Sequence, residues 1–206
     1  MRIEDLDRPR EVAGSADGIL RTLERFGFEW DSLTRQSERS ELYVDALRDL
    51  EARHLTFACT CSRAQLEDEL RYPGTCRDRQ AAAGVPSATR LRVDSREIRF
   101  TDRIQGTFRQ QLAVAVGDII LKRRDQIVAY VLAVVVDDAA QGVTHIVRGA
   151  ASRRARIRPS RCCSASFRCW DWHRPPRSSR SQSLRPGLGQ SSIGASIRCP
   201  GASICL

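Results

Sequence analysis

The chain has 206 residues, of which 41% are hydrophobic and 29% charged, enough for one core with an appendage. Its net charge of +9 is typical of nucleic-acid binding, but residues 151–206 alone, with eleven Arg and one acid, carry +10, and residues 1–150 carry −1. This excludes a strongly basic domain in residues 1–150. No apolar run reaches the roughly 18 residues of a membrane-spanning helix, so we expect no membrane association.

The chain opens with a pattern that predicts a strand followed by a helix. Met1–Asp5 indicates the end of a strand running into a loop. Apolar residues at helical spacing, from Ile19 to Phe26, predict a helix over Ser15–Phe26. Ser15 is the predicted N-cap of this helix, and Gly27 is predicted to end it.

The next segment predicts a second helix, a short strand and a third helix. An amphipathic pattern over Ser37–Arg53 predicts a helix whose buried side carries Leu42, Ala46, Leu47 and Leu50. Thr56–Thr60 is predicted to be a strand, and Ser62–Arg71 a polar helix.

The middle of the chain is mainly β. Alternating residues predict three strands: Ala88–Val93, Ile98–Asp102 and Gly117–Leu121. The apolar run Ile127–Val136 fits a helix or a strand equally well, and Val143–Val147 is predicted to be a buried strand. Helices alternating with buried strands predict an α/β fold with a parallel sheet, interrupted by a small inserted unit.

Three of the eight cysteines cluster in one window, as Cys59, Cys61 and Cys76, and the other five follow residue 160. No charged-then-apolar leader precedes them, so we expect a reducing, cytoplasmic location and a metal rather than disulfides. Zinc takes four ligands, and a strand would point Cys59 and Cys61 to the same side. The fourth position is open to Tyr72, His54, Asp78 or water, and three buried free thiols remain the alternative.

Four blocks of sequence follow one another in the order typical of one enzyme family. On these blocks, the chain resembles the glutamyl-queuosine tRNA(Asp) synthetases over residues 1 to about 150. The blocks are Arg2-Ile3-Glu4-Asp5-Leu6-Asp7-Arg8-Pro9-Arg10, Cys59-Thr60-Cys61 with Tyr72-Pro73-Gly74-Thr75-Cys76-Arg77, Tyr130 with Ala133-Val134-Val135-Val136-Asp137-Asp138, and Gln141 to Ala150. The resemblance implies a class I synthetase Rossmann-type sheet over residues 1–56 and 121–150, and an inserted zinc-bearing α+β unit over residues 57–120.

The resemblance also implies a reaction and a set of site residues. The family activates glutamate with ATP and transfers it to queuosine in the anticodon of tRNA(Asp). By position, Glu4, Tyr130 and Arg148 would bind the glutamate substrate, with Glu4 near its ammonium. Cys59, Cys61, Tyr72 and Cys76 would bind Zn²⁺. No catalytic side chain is assigned, and we expect a monomer.

The chain departs from the family pattern at two nucleotide-binding elements. It begins at the Arg2–Asp5 block, without the upstream His-x-Gly-His-like signature, and residues 151–206 contain no Lys for a Lys-Met-Ser-Lys-Ser-like loop. We therefore expect this polypeptide to be inactive in adenylate formation. The alternative function is a zinc-bearing RNA-binding fragment with a basic arm and no catalysis. Asp137 and Asp138 could simply mark a helix end that faces water.

The composition changes abruptly after residue 150. Residues 151–206 are rich in Arg, Ser, Pro and Gly and have no sustained apolar period, which predicts a disordered, dispensable tail. An RNA-binding arm and an out-of-frame translation are the other interpretations. Cys169-Trp170-Asp171-Trp172 must be encoded TGY-TGG-GAY-TGG, which reads Leu-Gly-Leu two bases later.

Overall fold

The computed structural model describes residues 1–62, 64–66, 71–147 and 203–204. The helices and strands, in chain order, are β1 (Arg2–Ile3), α1 (Ser15–Arg25), β2 (Thr34–Arg35), α2 (Ser40–Ala52), β3 (Thr56–Cys59), β4 (Ala88–Leu91), β5 (Glu97–Asp102), β6 (Gly106–Gln111), α3 (Leu112–Ala115), β7 (Ile119–Lys122), α4 (Tyr130–Ala140), β8 (Ile146–Val147) and β9 (Ser203–Ile204). Single 3₁₀ turns occur at Arg8–Arg10, Gln36–Arg39 and Ala64–Leu66.

The described strands form one three-stranded sheet and three two-stranded pairs. β1 pairs with β2 and β8 pairs with β9 in parallel. The larger sheet has the order β3-β4-β7 and is antiparallel, as is the β5–β6 pair. Of the predicted α/β fold with a parallel sheet and an inserted unit, the mixed α/β character and the parallel pairing are confirmed. The described strands between residues 56 and 122 pair antiparallel, and β5 and β6 are joined as a hairpin.

The main core lies where α2 and α4 pack against β4 and β7. Its fully buried side chains are Tyr43, Leu50, Leu121, Leu132 and Ala133. The buried side of α2 repeats at i, i+3, i+4 and i+7, starting from Tyr43. The assignment of Leu42 to that side is wrong, because Leu42 is 40% exposed.

Helix α1 begins and ends close to the predicted bounds. Its N-cap is Gly14, in the left-handed region at φ 77°, so the prediction of Ser15 as the cap is wrong by one residue. Gly27, at φ 78°, ends the helix as predicted, and the Phe28 N–H donates to Leu23 O at 3.0 Å. Leu20 is the one buried residue of α1, whereas Phe26 is 78% exposed.

The ambiguous apolar run resolves as helix α4, which is buried between α2 and β7. The strand predicted over Val143–Val147 is limited to Ile146–Val147. Of the polar helix predicted at Ser62–Arg71, one 3₁₀ turn is described, and residues 63 and 67–70 lie outside the described residues. The tail prediction also lies outside them, apart from Ser203–Ile204. No helix in the described ranges is long and apolar enough to cross a bilayer.

A candidate metal centre and amino-acid pocket

Three thiols converge at the end of β3. Cys59 is the last residue of β3, Cys61 follows two residues later, and Cys76 lies in the turn after Tyr72-Pro73-Gly74. Their sulfur atoms all lie within 4.8 Å of one another, and Cys61 Sγ is 3.5 Å from Cys76 Sγ. Zinc–sulfur bonds of about 2.3 Å in a tetrahedron place sulfurs about 3.8 Å apart, so the three thiols fit one zinc ion.

Tyr72 points its hydroxyl into this cluster. The hydroxyl oxygen accepts a hydrogen bond from the Cys76 backbone N–H at 2.8 Å and lies 3.5 Å from Cys59 Sγ. His54 is exposed, and Asp78, with 90% of its side chain exposed, pairs with Arg92. Of the three side chains considered for the fourth position, the structure brings Tyr72 to the thiols.

The thiols differ in how readily they ionise. Burial would raise the pKa of the Cys76 thiol, but hydrogen bonds from the Thr60 amide and from Tyr72 and Cys61 lower it to about 6. Burial and the neighbouring thiols raise the pKa of Cys61 to about 11. Burial likewise raises the pKa of the Tyr72 hydroxyl. Cys76 therefore ionises more readily than Cys61, and a bound dication would have to displace the Cys61 proton.

Side chains of the three-stranded sheet contact Tyr72 and so support the cluster. The guanidinium carbon of Arg90, on β4, lies 3.9 Å from the centroid of the Tyr72 ring. Arg90 Nη1 also donates to Asp118 O at 2.7 Å, which fixes the guanidinium in this position. The Phe57 ring lies 6.1 Å from the Tyr72 ring, tilted by 30°. Tyr72 thus contacts both a cation and an aromatic ring.

Gly117 allows the chain at Arg71 and Tyr72 to pass close to the start of β7. A Cβ atom there would lie 2.9 Å from both Arg71 Cγ and Tyr72 O, and its φ is +77°. Sequence reasoning missed Arg90 and Gly117 as supports of the cluster, because neither is near the thiols in sequence. A glycine followed by an acid at the start of a strand was the available signal.

The residues assigned to a glutamate pocket lie in different elements. Glu4 follows β1, with 26% of its side chain exposed, and its Oε1 lies 3.6 Å from Arg2 Nη2. Tyr130 begins α4 and is 43% exposed. Arg148 lies outside the described residues. The structure thus describes two of the three predicted pocket residues.

The segment that carries Glu4 is fixed at both ends. Arg2 Nη1 donates to Asp138 Oδ1 at 2.8 Å, near the end of α4. Asp7 Oδ2 accepts from Arg123 Nη1 at 2.7 Å, just after β7. These two anchors flank Tyr130 in sequence, so the Glu4 segment is tied to the elements around that residue.

Asp137 is the buried centre of the same region, which sequence reasoning did not foresee. It is fully buried and accepts hydrogen bonds from Gln36 Nε2 at 2.8 Å, Arg39 Nε at 2.7 Å and Tyr43 OH at 2.9 Å. Arg2 Nε approaches its carboxylate at 4.0 Å. The interpretation of Asp137 as a water-facing helix end is therefore wrong. It joins β1, the 3₁₀ turn before α2, and α4.

Comparison with known proteins places this fold in a defined class. Residues 1–157 match the family described as tRNA synthetases class I (E and Q), catalytic domain, and the chain belongs to that family. Within the class, it is 57% identical over 152 residues to the glutamyl-Q tRNA(Asp) synthetase of Pseudomonas syringae pv. tomato, and 55% identical over 152 residues to that of Pseudomonas aeruginosa PAO1. The alignments cover 73% of this chain and 51–52% of the relatives. The chain thus spans about half the length of these relatives.

Solved structures support the same fold. A crystal structure of a glutamate tRNA ligase from Elizabethkingia meningosepticum, in complex with its amino acid, superposes with a TM-score of 0.62 and 23% identity. The match covers 72% of this chain and 36% of that one. Glutamate-tRNA synthetase from Elizabethkingia anophelis gives a TM-score of 0.58 at 22% identity. The predicted membership of an aminoacyl-tRNA-synthetase family of ligases is confirmed.

Proposed function

We propose that this chain is part of an enzyme that activates glutamate with ATP and transfers it to queuosine in the anticodon of tRNA(Asp). The observation that carries the proposal is the 57% identity to a glutamyl-Q tRNA(Asp) synthetase over 152 residues. The convergence of three thiols and a tyrosine hydroxyl adds support, because the resemblance to that family rests partly on those residues. A cytoplasmic location and a monomeric state remain predictions.

The pocket assignment follows from the charges of the substrate. Free glutamate presents one ammonium and two carboxylates. An acid such as Glu4 suits the ammonium, and the guanidinium of Arg148 can bind a carboxylate through two parallel hydrogen bonds. Tyr130 would complete the pocket between them. The buried Asp137 carboxylate acts indirectly, by fixing the elements on which Glu4 and Tyr130 lie.

The metal assignment is structural rather than catalytic. Cys59, Cys61, Cys76 and the Tyr72 hydroxyl would fill all four positions of a tetrahedral zinc ion, and a catalytic zinc needs an open position for water or substrate. Bound there, the ion would join the end of β3 to the turn that follows Tyr72. ATP would be a co-substrate of the whole enzyme.

The test of the proposal is binding of L-glutamate to the zinc-loaded chain, measured by isothermal titration calorimetry. We expect saturable binding that prefers L-glutamate to L-glutamine. The Glu4→Gln and Arg148→Gln variants should each lose about tenfold or more in affinity, the value of one charged hydrogen bond. The control variants Glu11→Gln and Arg8→Gln, at exposed positions, should bind as the wild type does.

Pyrophosphate exchange separates binding from chemistry. The 206 residues contain one lysine, Lys122, and no His-x-Gly-His-like motif, so exchange with glutamate and ATP should stay at background while glutamate still binds. The full-length P. aeruginosa relative serves as the positive control. Absence of glutamate binding would overturn the proposal, and RNA binding without glutamate binding would favour the zinc-bearing RNA-binding alternative.

A further inference from the structure

Strands β5 and β6 form a regular two-stranded ribbon with two different faces. The register is unbroken from Glu97 opposite Gln111 to Asp102 opposite Gly106. On one face, Ile98 and Phe100 pack against the main core, and the Phe100 and Phe108 rings stack at 5.2 Å with an interplanar angle of 14°. This packing fixes the ribbon and turns its other face outward.

The outward face consists of three cross-strand pairs whose side chains are all exposed. The pairs are Glu97 with Gln111, Arg99 with Arg109, and Thr101 with Thr107. Directly opposed residues in an antiparallel pair have Cβ atoms about 4.5–5.5 Å apart, and like charges placed there repel each other. Arg99 and Arg109 therefore form a like-charge pair that an anion would stabilise.

Seven of the nine other arginines of residues 71–124 donate side-chain hydrogen bonds within the described residues, the exceptions being Arg79 and Arg103. Arg77 donates to Asp118 and Val93 O, Arg92 donates to Arg77 O and Thr56 O, and Arg96 pairs with Asp94. By contrast, Arg99 and Arg109 make no hydrogen bond, ion pair or ring contact with the other described residues. The N–H donors of these two guanidinium groups are therefore available to a bound ligand.

We propose that the outward face of the β5–β6 ribbon binds the phosphate backbone of an RNA. The guanidinium groups of Arg99 and Arg109, and the hydroxyls of the next cross-strand pair, are side-chain donors of the kind that contact phosphate oxygens. The Thr101 and Thr107 hydroxyl oxygens lie 3.5 Å apart, so one hydroxyl donates to the other and the second keeps its donor for a phosphate oxygen.

The chemistry of this face argues against a protein partner. Its six side chains include no aromatic or large aliphatic residue that could serve as the buried anchor of a protein–protein interface. The exposed donors instead suit a repeated anion, read without base specificity. The identity of the RNA as the tRNA substrate rests on the proposed function, whereas the phosphate contact rests on the ribbon.

The test compares an R99Q/R109Q double variant with an R21Q/R25Q double variant. The control removes the same two charges from exposed positions of α1, and both variants keep the eleven arginines of residues 151–206. Affinity for fluorescently labelled tRNA(Asp) is measured by anisotropy at several KCl concentrations. We expect R99Q/R109Q to bind about tenfold more weakly at 0.1 M salt, with a salt slope lower by about two. R21Q/R25Q should match the wild type.

Further variants make the outcome decisive. R99K/R109K keeps the charge and should retain most of the affinity, and the melting temperature of every variant checks folding. If R99Q/R109Q keeps the wild-type affinity and slope, or if the wild type binds no tRNA, the phosphate-contact proposal is overturned.

Glutamate binding separates this proposal from the proposed function. The ribbon variants should bind glutamate as the wild type does, because the substitutions lie on an outward face that holds none of the proposed pocket residues. If glutamate binds but the ribbon substitutions leave tRNA binding unchanged, only the phosphate-contact proposal is overturned. Ribbon-dependent RNA binding without glutamate binding would overturn only the proposed function.

Discussion

The guanidinium carbon of Arg90, on strand β4, lies 3.9 Å from the centroid of the Tyr72 ring and over its face. A cation over a phenol ring is attracted by the negative face of the ring and holds its plane. Since the Tyr72 hydroxyl accepts the Cys76 N–H at 2.8 Å, this contact also sets where the hydroxyl meets the thiols. The sheet therefore positions the Tyr72 hydroxyl, the fourth candidate ligand of the metal centre.

The first prediction is that the cluster binds one zinc ion per chain. Cys61→Ser should lose most of the metal, because a serine hydroxyl is a much poorer zinc ligand than a thiolate. Elemental analysis of purified protein measures the stoichiometry. Cys162→Ser, which removes a thiol outside the cluster, is the matched control and should keep a full zinc equivalent. A metal-free wild type whose melting temperature zinc does not change would contradict the prediction.

The second prediction concerns the pH dependence of zinc affinity. The pKa of the Cys61 thiol is raised to about 11, so that thiol is protonated near neutral pH and releases one proton on binding zinc. Affinity should therefore rise at least about tenfold per pH unit between pH 6.5 and 8. Below about pH 6, where the Cys76 thiolate also becomes protonated, the dependence should steepen.

Competition titrations with a chelator of known pH-dependent affinity measure this slope. The sign follows from the linkage of protons and metal: the ion binds the deprotonated thiols, so lower pH weakens binding. In Cys61→Ser, the slope of log zinc affinity against pH near neutral pH should be smaller than in the wild type by about one. A slope identical in the two proteins would show that Cys61 is not a ligand.

The third prediction is that Gly117→Ala damages both stability and metal binding. The new Cβ would meet Arg71 Cγ and the Tyr72 carbonyl oxygen at 2.9 Å, so the chain before the cluster must shift. We expect a loss of about 1–3 kcal/mol in the free energy of unfolding, from strain and from the clash. Chemical denaturation and elemental analysis measure the two effects.

Gly84→Ala separates the clash from backbone strain. Gly84 has a similar φ of +79°, but a Cβ there would meet nothing within 4 Å. It should cost only the strain of a left-handed residue and leave zinc content unchanged. Equal effects of the two substitutions on zinc content would show that the close approach at Gly117 does not matter.

The thiol cluster could be predicted from sequence because its members are close along the chain. Cys59 and Cys61 flank one residue, and Tyr72 and Cys76 share a turn. The supports of the cluster were missed, since Arg90 and Gly117 reach it only through the pairing of β4 and β7. The α2 error has a similar origin: apolar spacing alone allowed Leu42, whereas the packed helix uses Tyr43, whose hydroxyl needs a buried acceptor.

Asp137 shows why charge patterns near helix ends mislead. Its hydrogen-bond partners Gln36, Arg39 and Tyr43 lie 94 to 101 residues earlier in the chain. No local pattern can reveal such partners, and an aspartate pair at the end of an apolar run most simply indicates solvent. A buried carboxylate with three donors instead indicates a fixed joint between elements.

The fourth prediction is that Asp137→Asn strongly destabilises the protein. The change keeps the shape of the side chain but removes the charge that offsets the Arg39 guanidinium, and an amide nitrogen would face at least one of the three donors. Breaking a buried ion pair by removing one partner costs about 3–5 kcal/mol, so we expect a loss near the lower end of that range. Burial and the hydrogen bond to Asp137 also raise the pKa of Tyr43, so its hydroxyl stays a donor throughout the accessible pH range.

Urea denaturation at pH 7 measures the loss, with Asp45→Asn as the matched control. Asp45 pairs with Arg48 on the exposed side of α2, where 69% of the aspartate side chain is exposed, and exposed pairs contribute about 0–1 kcal/mol. Because the Asp137 contacts join the elements that carry Glu4 and Tyr130, the Asp137 variant should also bind glutamate more weakly at temperatures where it remains folded. An Asp137→Asn protein as stable as Asp45→Asn would mean that the buried carboxylate does not hold these elements together.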